Sequence, residues 1–407
     1  MTLDRRTFLA STAASFSVAA AFPVVRSPES LSMLSPDDDP LGVRADFPVV
    51  TTRTFLNGAY ITPSPQQAIQ AGQAFLQSKA RPMNVGTLLR KCGEVRGQFA
   101  RLVNATPEEI GFLYATTEGE NVVANTVPME RGDNVVMDEL AYDGAFPVYR
   151  ELERRKGVEL RIVPHAEGAV TPEAIAARVD RRTKLVTVSW VSHLNGYRHD
   201  LKALADIAHR HGALLHTDAI QGIGTLAFDV RATDVDFACA GTYKGLLAGF
   251  GLAPFYVRKE LHDRLVPDRF GSFGVARELP DHRYVIEPDA RRYDYATLPF
   301  AEVYQLGTTL GYLERVGVAR VEAHVTGLAL RLQEGLRLQG FRLFTPPGTR
   351  SAIVSFYVRR PEAEVQAAMD AASIDVTVRE DHVRASISIF NNAAEVDRLL
   401  EVTRGLL

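Results

Sequence analysis

Only two cysteines and one tryptophan occur in 407 residues, and that scarcity removes several chemistries at once. Cys92 and Cys239 stand in no CxxC spacing, so they frame neither a zinc cluster nor a dithiol redox motif, and no metal site is expected. Cys239, in "VDFACAG", has apolar neighbours and reads as a buried strand residue. Excess charge is missing too: 46 Lys and Arg face 49 Asp and Glu, a net charge of -3. That balance leaves no basic footprint for a nucleic-acid partner. Also absent is a GxGxxG that follows an early strand and opens a helix. "QGIGTLAF" lacks the third glycine, which sets aside a dinucleotide-binding protein. No internal repeat is visible. What is present, 46% hydrophobic and 23% charged residues, suits a globular chain with a sizeable core. The length suits one large domain with a smaller companion.

The N-terminus reads as an address. "MTLDRRTFLASTAASFSVAAAFPVV" sets paired arginines before Phe8 and Leu9, then a mildly apolar Ala/Ser/Val stretch ending in three alanines. Arg5-Arg6-Thr7-Phe8-Leu9 resembles the twin-arginine export motif, with Asp4 and Ala10 departing from the usual pattern. The apolar stretch is too short to span a bilayer comfortably. The expectation is a signal peptide over 1–21 cleaved after Ala21, use of the twin-arginine export machinery, and a periplasmic or otherwise exported mature protein. Residues 22–46, containing "SPESLSMLSPDDDP", are rich in Ser, Pro and Asp and read as a linker.

From about Gln66 helical and strand patterns alternate, which predicts a three-layer α/β domain with a mostly parallel sheet. "KLVTVSWV" is a β-rich run, "DLKALADIAHRHG" has apolar residues at helical spacing with a glycine stop, and "ALLHTDAIQGIG" and "VDFACAG" are the next two strands. The second of these strands leads into "GTYKG". Asp218 and Lys244 thus fall at carboxyl ends of strands, where open α/β sheets build ligand crevices. Upstream, a short strand Phe112 to Tyr114 precedes Thr116-Thr117-Glu118-Gly119, a helix start whose hydroxyls and free amides suit an anion.

This succession resembles the class V aminotransferase family of pyridoxal phosphate enzymes with the type I fold, which includes cysteine desulfurases and isopenicillin N epimerase. Six stretches carry the likeness in register: "FLNGAYITPSP", "SWVSHLNGYRHDLKALADIAHRHGALLHTDAIQGIG", "AGTYKG", "RRYDYATLP", "VRASISIFNNAAEVDRLL" and the Thr-Thr helix start. The resemblance implies pyridoxal 5'-phosphate as cofactor, with Lys244 carrying it as an imine and moving the Cα proton. It implies Asp218 on the pyridinium nitrogen, Gln221 on the phenolic oxygen and Tyr142 stacked on the ring. It further implies Thr116 and Thr117 on the phosphate with Thr242 as a third ligand, Thr297 reaching the neighbouring subunit's phosphate in a homodimer, and Arg384 gripping the substrate carboxylate with Arg379 as its rival. His193 stands where the family has Asn, and Asn195 follows two residues later, so either faces the cofactor's oxygen.

The implied architecture is a large domain over 65–299 and a small α+β domain combining 47–64 with 300–407. The implied function is an exported enzyme acting on the amino group of an amino acid or peptidic substrate, with transamination ranked first. Epimerisation and carbon–sulfur or other β-elimination are alternatives within the family, and a non-catalytic exported binding protein is the alternative outside it. Persulfide-forming desulfuration is disfavoured because the last cysteine, Cys239, precedes Lys244, leaving no nucleophilic thiol in the C-terminal third.

Overall fold

Six of the seven strands of the central sheet run parallel, and nearly all of their side chains are buried. This is what runs such as "NVVMD" and "TKLVTVS" demand, since a sheet covered by helices on both faces needs continuous apolar strands rather than alternation. The computed structural model describes residues 38–407; the expected signal peptide and most of the expected linker lie outside them. In chain order the strands are β1 (Ile110–Leu113), β2 (Asn134–Asp138), β3 (Glu159–Val163), β4 (Thr183–Ser189), β5 (Leu214–Asp218), β6 (Phe237–Cys239) and β7 (Ala253–Val257). They are arranged β1-β7-β6-β5-β4-β2-β3, with β7 alone antiparallel to its neighbours. The three-layer α/β arrangement with a mainly parallel sheet follows the sequence reading.

Helices α1 (Gln66–Ser78), α2 (Val85–Leu102), α3 (Thr116–Thr126), α4 (Ala145–Lys156), α5 (Leu201–Arg210), α6 (Phe300–Val316), α7 (Val318–Leu338), α8 (Glu362–Ala371) and α9 (Ala393–Thr403) complete the frame. Two local features set the backbone at the carboxyl ends of the strands. Asp200 caps α5 by accepting from Ala203 N at 3.0 Å, which fixes the turn after β4. Gly119 lets α3 sit directly on β6, because a Cβ there would lie 2.7 Å from Cys239 Cβ.

A second, antiparallel sheet holds β8 (Ile353–Tyr357), β9 (Thr377–Val378) and β10 (His382–Ser386) in the order β8-β10-β9. The N-terminal part reaches this region, since Thr54–Phe55 pairs in parallel with Ile374–Asp375 and Leu56 O accepts from Ser386 N at 2.7 Å. The end of the expected linker is not loose. Val43 and Phe47 enter the core, and buried Arg44 pairs with Glu395 at 3.1 Å and donates to Phe390 O. An aperiodic, polar sequence concealed this anchor because its partners lie some 350 residues away. The strand expected over "VRASISIF" stops at Ser386, and Ser388 to Asn391 form a turn that leads to the capping box of Asn392 and Glu395 on α9.

Candidate active site

The carboxyl ends of β1, β2, β4, β5 and β6 open on one side of the sheet, and each delivers a polar residue there. The chain leaving β6 makes a tight turn, with Leu247 N donating to Lys244 O at 2.9 Å. Close approach is enforced at Gly245, where a Cβ would stand 2.5 Å from Ile223 O. Lys244 is 8% exposed and has no ion-pair partner among the described residues. Burial pushes its ammonium down to about 8; the Asp218 charge opposes that shift and the Arg384 charge adds to it. Burial lifts the Asp218 carboxyl to about 6, against the hydrogen bond from Ile220 N at 3.0 Å and the Lys244 charge. A recess lies against Lys244, walled by Ala59, Gln221, Ile353 and Ser386.

His193 comes from the segment after β4, and burial followed by the Arg384, Lys244 and Arg379 cations depresses its imidazole to about 3, leaving it neutral. Its ring meets Tyr142 edge-on at 5.3 Å. Arg384, on β10, donates to His193 O at 2.7 Å and to Thr377 Oγ1 at 2.9 Å. Thr377 in turn donates to Asn57 Oδ1 at 2.8 Å. Burial, and then Arg379, lower the Arg384 guanidinium to about 10, still charged at neutral pH. Arg384 Nε and His193 Nδ1 are buried with no hydrogen-bond partner among the described residues. Such atoms point to a polar ligand, because an unpaired buried donor or acceptor costs about 1–3 kcal/mol.

The first turn of α3 closes the far side. Thr116 is buried, and its Oγ1 accepts from Gly241 N at 2.9 Å. Thr117 is half-buried, and neither its amide nor that of Thr116 has a partner among the described residues. Glu118 ties this turn to the segment 268–295 through Arg269 at 2.7 Å and Tyr295 at 3.0 Å.

The structure therefore brings together Lys244, Asp218, His193, Tyr142, Arg384 and the Thr116–Thr117 turn. The other expected residues make hydrogen bonds within the chain. Asn195 is committed to the backbone, donating to Gly168 O at 2.7 Å and accepting from Tyr197 N at 3.0 Å. Of the two residues read as facing the cofactor's oxygen, the one with a free polar atom is His193. Thr242 Oγ1 donates to Gly249 O at 2.6 Å and closes the loop around Lys244. Gln221 donates to Ala59 O at 2.9 Å. Thr297 is exposed, and its carbonyl accepts from Tyr114 OH at 2.9 Å within the same chain.

Sequence reasoning missed a buried set behind Asp218. Glu120 Oε2 accepts from Tyr149 OH at 2.7 Å and lies 3.4 Å from His216 Nδ1. Burial holds Glu120 up at about 7 and His216 down at about 4. The available signal was period two: His216 precedes Asp218 by two positions on β5 and so shares its face. Both thiols are buried, with burial raising Cys92 to about 11 and Cys239 well above its ordinary value.

A family model described as aminotransferase class-V matches residues 54–399. Among curated proteins, the chain is 29% identical over 385 residues to a probable cysteine desulfurase of Methanothermobacter thermautotrophicus, covering 88% of this chain and 96% of that protein. It is 28% identical over 391 residues to a cysteine desulfurase of Salmonella newport, with the same coverage. Among solved structures, the apo cysteine desulfurase of Thermococcus onnurineus aligns with a TM-score of 0.83 at 24% identity, covering 90% of this chain and 98% of that one. A cystine C–S lyase in complex with its product cysteine persulfide aligns at 0.82 and 18% identity, covering 88% and 99%. At those identities the structural likeness speaks for the fold.

Proposed function

The chain belongs to the class V aminotransferase family, and from that premise we propose that it is a pyridoxal 5'-phosphate enzyme cleaving a carbon–sulfur bond in an amino-acid substrate. The observation that carries the reading is the buried lysine in the turn after β6, without an ion-pair partner among the described residues, set near a buried carboxylate and a buried arginine whose Nε has no hydrogen-bond partner among them. The sequence ranked transamination first; relatives described as cysteine desulfurases and a fold neighbour described as a cystine C–S lyase favour the lyase alternative.

The residues fit the cofactor. Lys244 would hold it, Asp218 would face its ring nitrogen, Tyr142 and His193 would flank its ring, and the free amides of α3 would receive its phosphate. When bound, the cofactor supplies an electron sink for the Cα–H bond. The chain's residues do the rest. Arg384, braced by Thr377 and the His193 carbonyl, orients the substrate through its carboxylate. Lys244, whose amine is free in substantial part just above neutral pH, takes the proton from Cα. Neutral His193 adds no charge to a site that already holds two cations. The buried state of Cys92 and Cys239 supports departure of the sulfur on a small molecule rather than on a protein thiol.

Two experiments test this. Borohydride reduction of the yellow protein should leave a pyridoxyl phosphate adduct on the Lys244 peptide. Incubation with cystine or an S-substituted cysteine should release pyruvate and a thiol or persulfide; amino transfer to an oxo acid without pyruvate would return the function to transamination.

A further inference from the structure

Tyr243 and Phe250 lie against each other with ring centroids 4.6 Å apart and planes 21° from parallel. The Tyr243 centroid is 5.7 Å from Lys244 Nζ. A base acting on a substrate's Cα must come within about 3 Å of the proton's carrier, so a group on Cβ of that substrate lies within one side chain's reach of the Tyr243 ring. Tyr60 and Tyr142 are near enough to act electrostatically on the Tyr243 phenol. The phenols of Tyr142 and Tyr243 are both raised by burial first and then by nearby acidic groups, including Asp218 and Tyr60. Thr62 N donates to Tyr243 O at 3.1 Å, which pins the Tyr60 segment beside it.

Two of these rings are open to solvent and lie outside the contacts assigned to the cofactor: Tyr60 at 57% and Phe250 at 56%. No hydroxyl of the three tyrosines has a protein partner among the described residues. Aromatic faces left in water around a charged cluster carry a hydration cost that an apolar, flat ligand group removes. The charged groups need the opposite kind of partner, and Arg384 supplies a place for a carboxylate. A substrate that satisfies both has an amino-acid head and an aromatic tail.

We propose that Tyr243 and Phe250, with the Tyr60 segment pinned beside them, form the leaving-group subsite and select cysteines whose sulfur carries an aryl or benzyl substituent. This rests on the carbon–sulfur lyase reading and deepens it. In the reaction the Cα–H and Cβ–S bonds break, and the sulfur departs with the electron pair and takes up a proton. Water then converts the remaining three carbons to an oxo acid: R–S–CH2–CH(NH3+)–COO- + H2O gives R–SH, pyruvate and ammonium. The released thiol is an aromatic one, which has the Tyr243–Phe250 pair to leave along.

The test uses the cofactor-loaded full chain, with the Lys244 adduct confirmed first by borohydride reduction. Rates of pyruvate and thiol release are compared for S-benzyl-L-cysteine, L-cystine and L-cysteine. The expected result is a kcat/KM up to about tenfold higher for the benzyl thioether, the upper end of the discrimination that ring stacking supports. Tyr243→Ala should remove that preference mainly through KM, and Tyr243→Phe should keep it. Equal kcat/KM values across the three substrates would overturn the proposal. So would a Tyr243→Phe variant as impaired as Tyr243→Ala, which would assign the hydroxyl rather than the ring. If Tyr243→Ala and Phe250→Ala change the oligomeric state but not the substrate preference, the rings serve a second copy of the chain and the proposal fails. Absence of the Lys244 adduct defeats the lyase reading itself, a failure distinct from loss of the aromatic preference.

Discussion

Lys244 is pressed in opposite directions by its surroundings: burial favours the free amine, while the Asp218 charge favours the ammonium. In protein free of cofactor, acylation of Lys244 by an amine reagent should rise with pH through a midpoint of about 8, whereas a solvated lysine has its midpoint at about 10.4. The Lys244 peptide mass reports this directly. Asp218→Asn removes the group that holds the proton on, so the same profile should move to lower pH. Turnover of the loaded enzyme should fall at least about a hundredfold, roughly 2.7 kcal/mol, because the ring nitrogen loses its counter-charge. A profile that moved upward would contradict the assigned proximity of the two groups. At this scale the sequence was informative where chemistry demands a residue type. Lys244, Asp218 and Arg384 could be named from their motifs, since each is a charge placed at an otherwise apolar strand or strand end. The backbone hydrogen bonds of Asn195 and Thr242 could not be read, because an amide or hydroxyl committed to backbone looks the same in a sequence as a free one.

Among the elements, α3 links packing to the site. Its Gly119 rests on Cys239 of β6, and its first turn carries Thr116 and Thr117. Gly119→Ala should overpack this contact at a cost of about 1–3 kcal/mol, visible as a lower midpoint in thermal unfolding. Displacing α3 should also weaken retention of added pyridoxal phosphate, measured by dialysis; a variant with lower stability but unchanged retention would show that the first turn is positioned independently. The strands β4, β5 and β6 were legible because short β-rich stretches bounded by turns and helical segments have few other uses in a chain of this length. Residues 38–46 were not legible as an anchored segment, since Arg44 is buried only by virtue of Glu395 and Phe390. An isolated arginine in a polar stretch carries no sign of a distant carboxylate.

For the whole molecule we propose a homodimer and a division into a large domain over 65–299 and a small one over 47–64 with 300–407. Leu76, Val85 and Leu89 hold apolar side chains in solvent on α1 and α2, an arrangement that suits an association face. Sedimentation should give twice the monomer mass, and Leu89→Glu should shift the population toward monomer. Export is a proposal resting on Arg5 and Arg6: replacing both with lysine should retain the precursor in the cytoplasm, and an intact N-terminus in the wild-type protein would refute cleavage after Ala21. By itself the sequence determined the parallel α/β core and the chemical types at the site, because burial periodicity and rare strand-end charges are local properties of a chain. Only the tertiary structure decided which polar groups at the site stay unspent among the described residues, His193 Nδ1, Arg384 Nε and the amides of α3 included. It alone also set the Tyr243 and Phe250 rings against each other beside the lysine, because hydrogen-bond satisfaction and ring contact depend on partners that folding brings together.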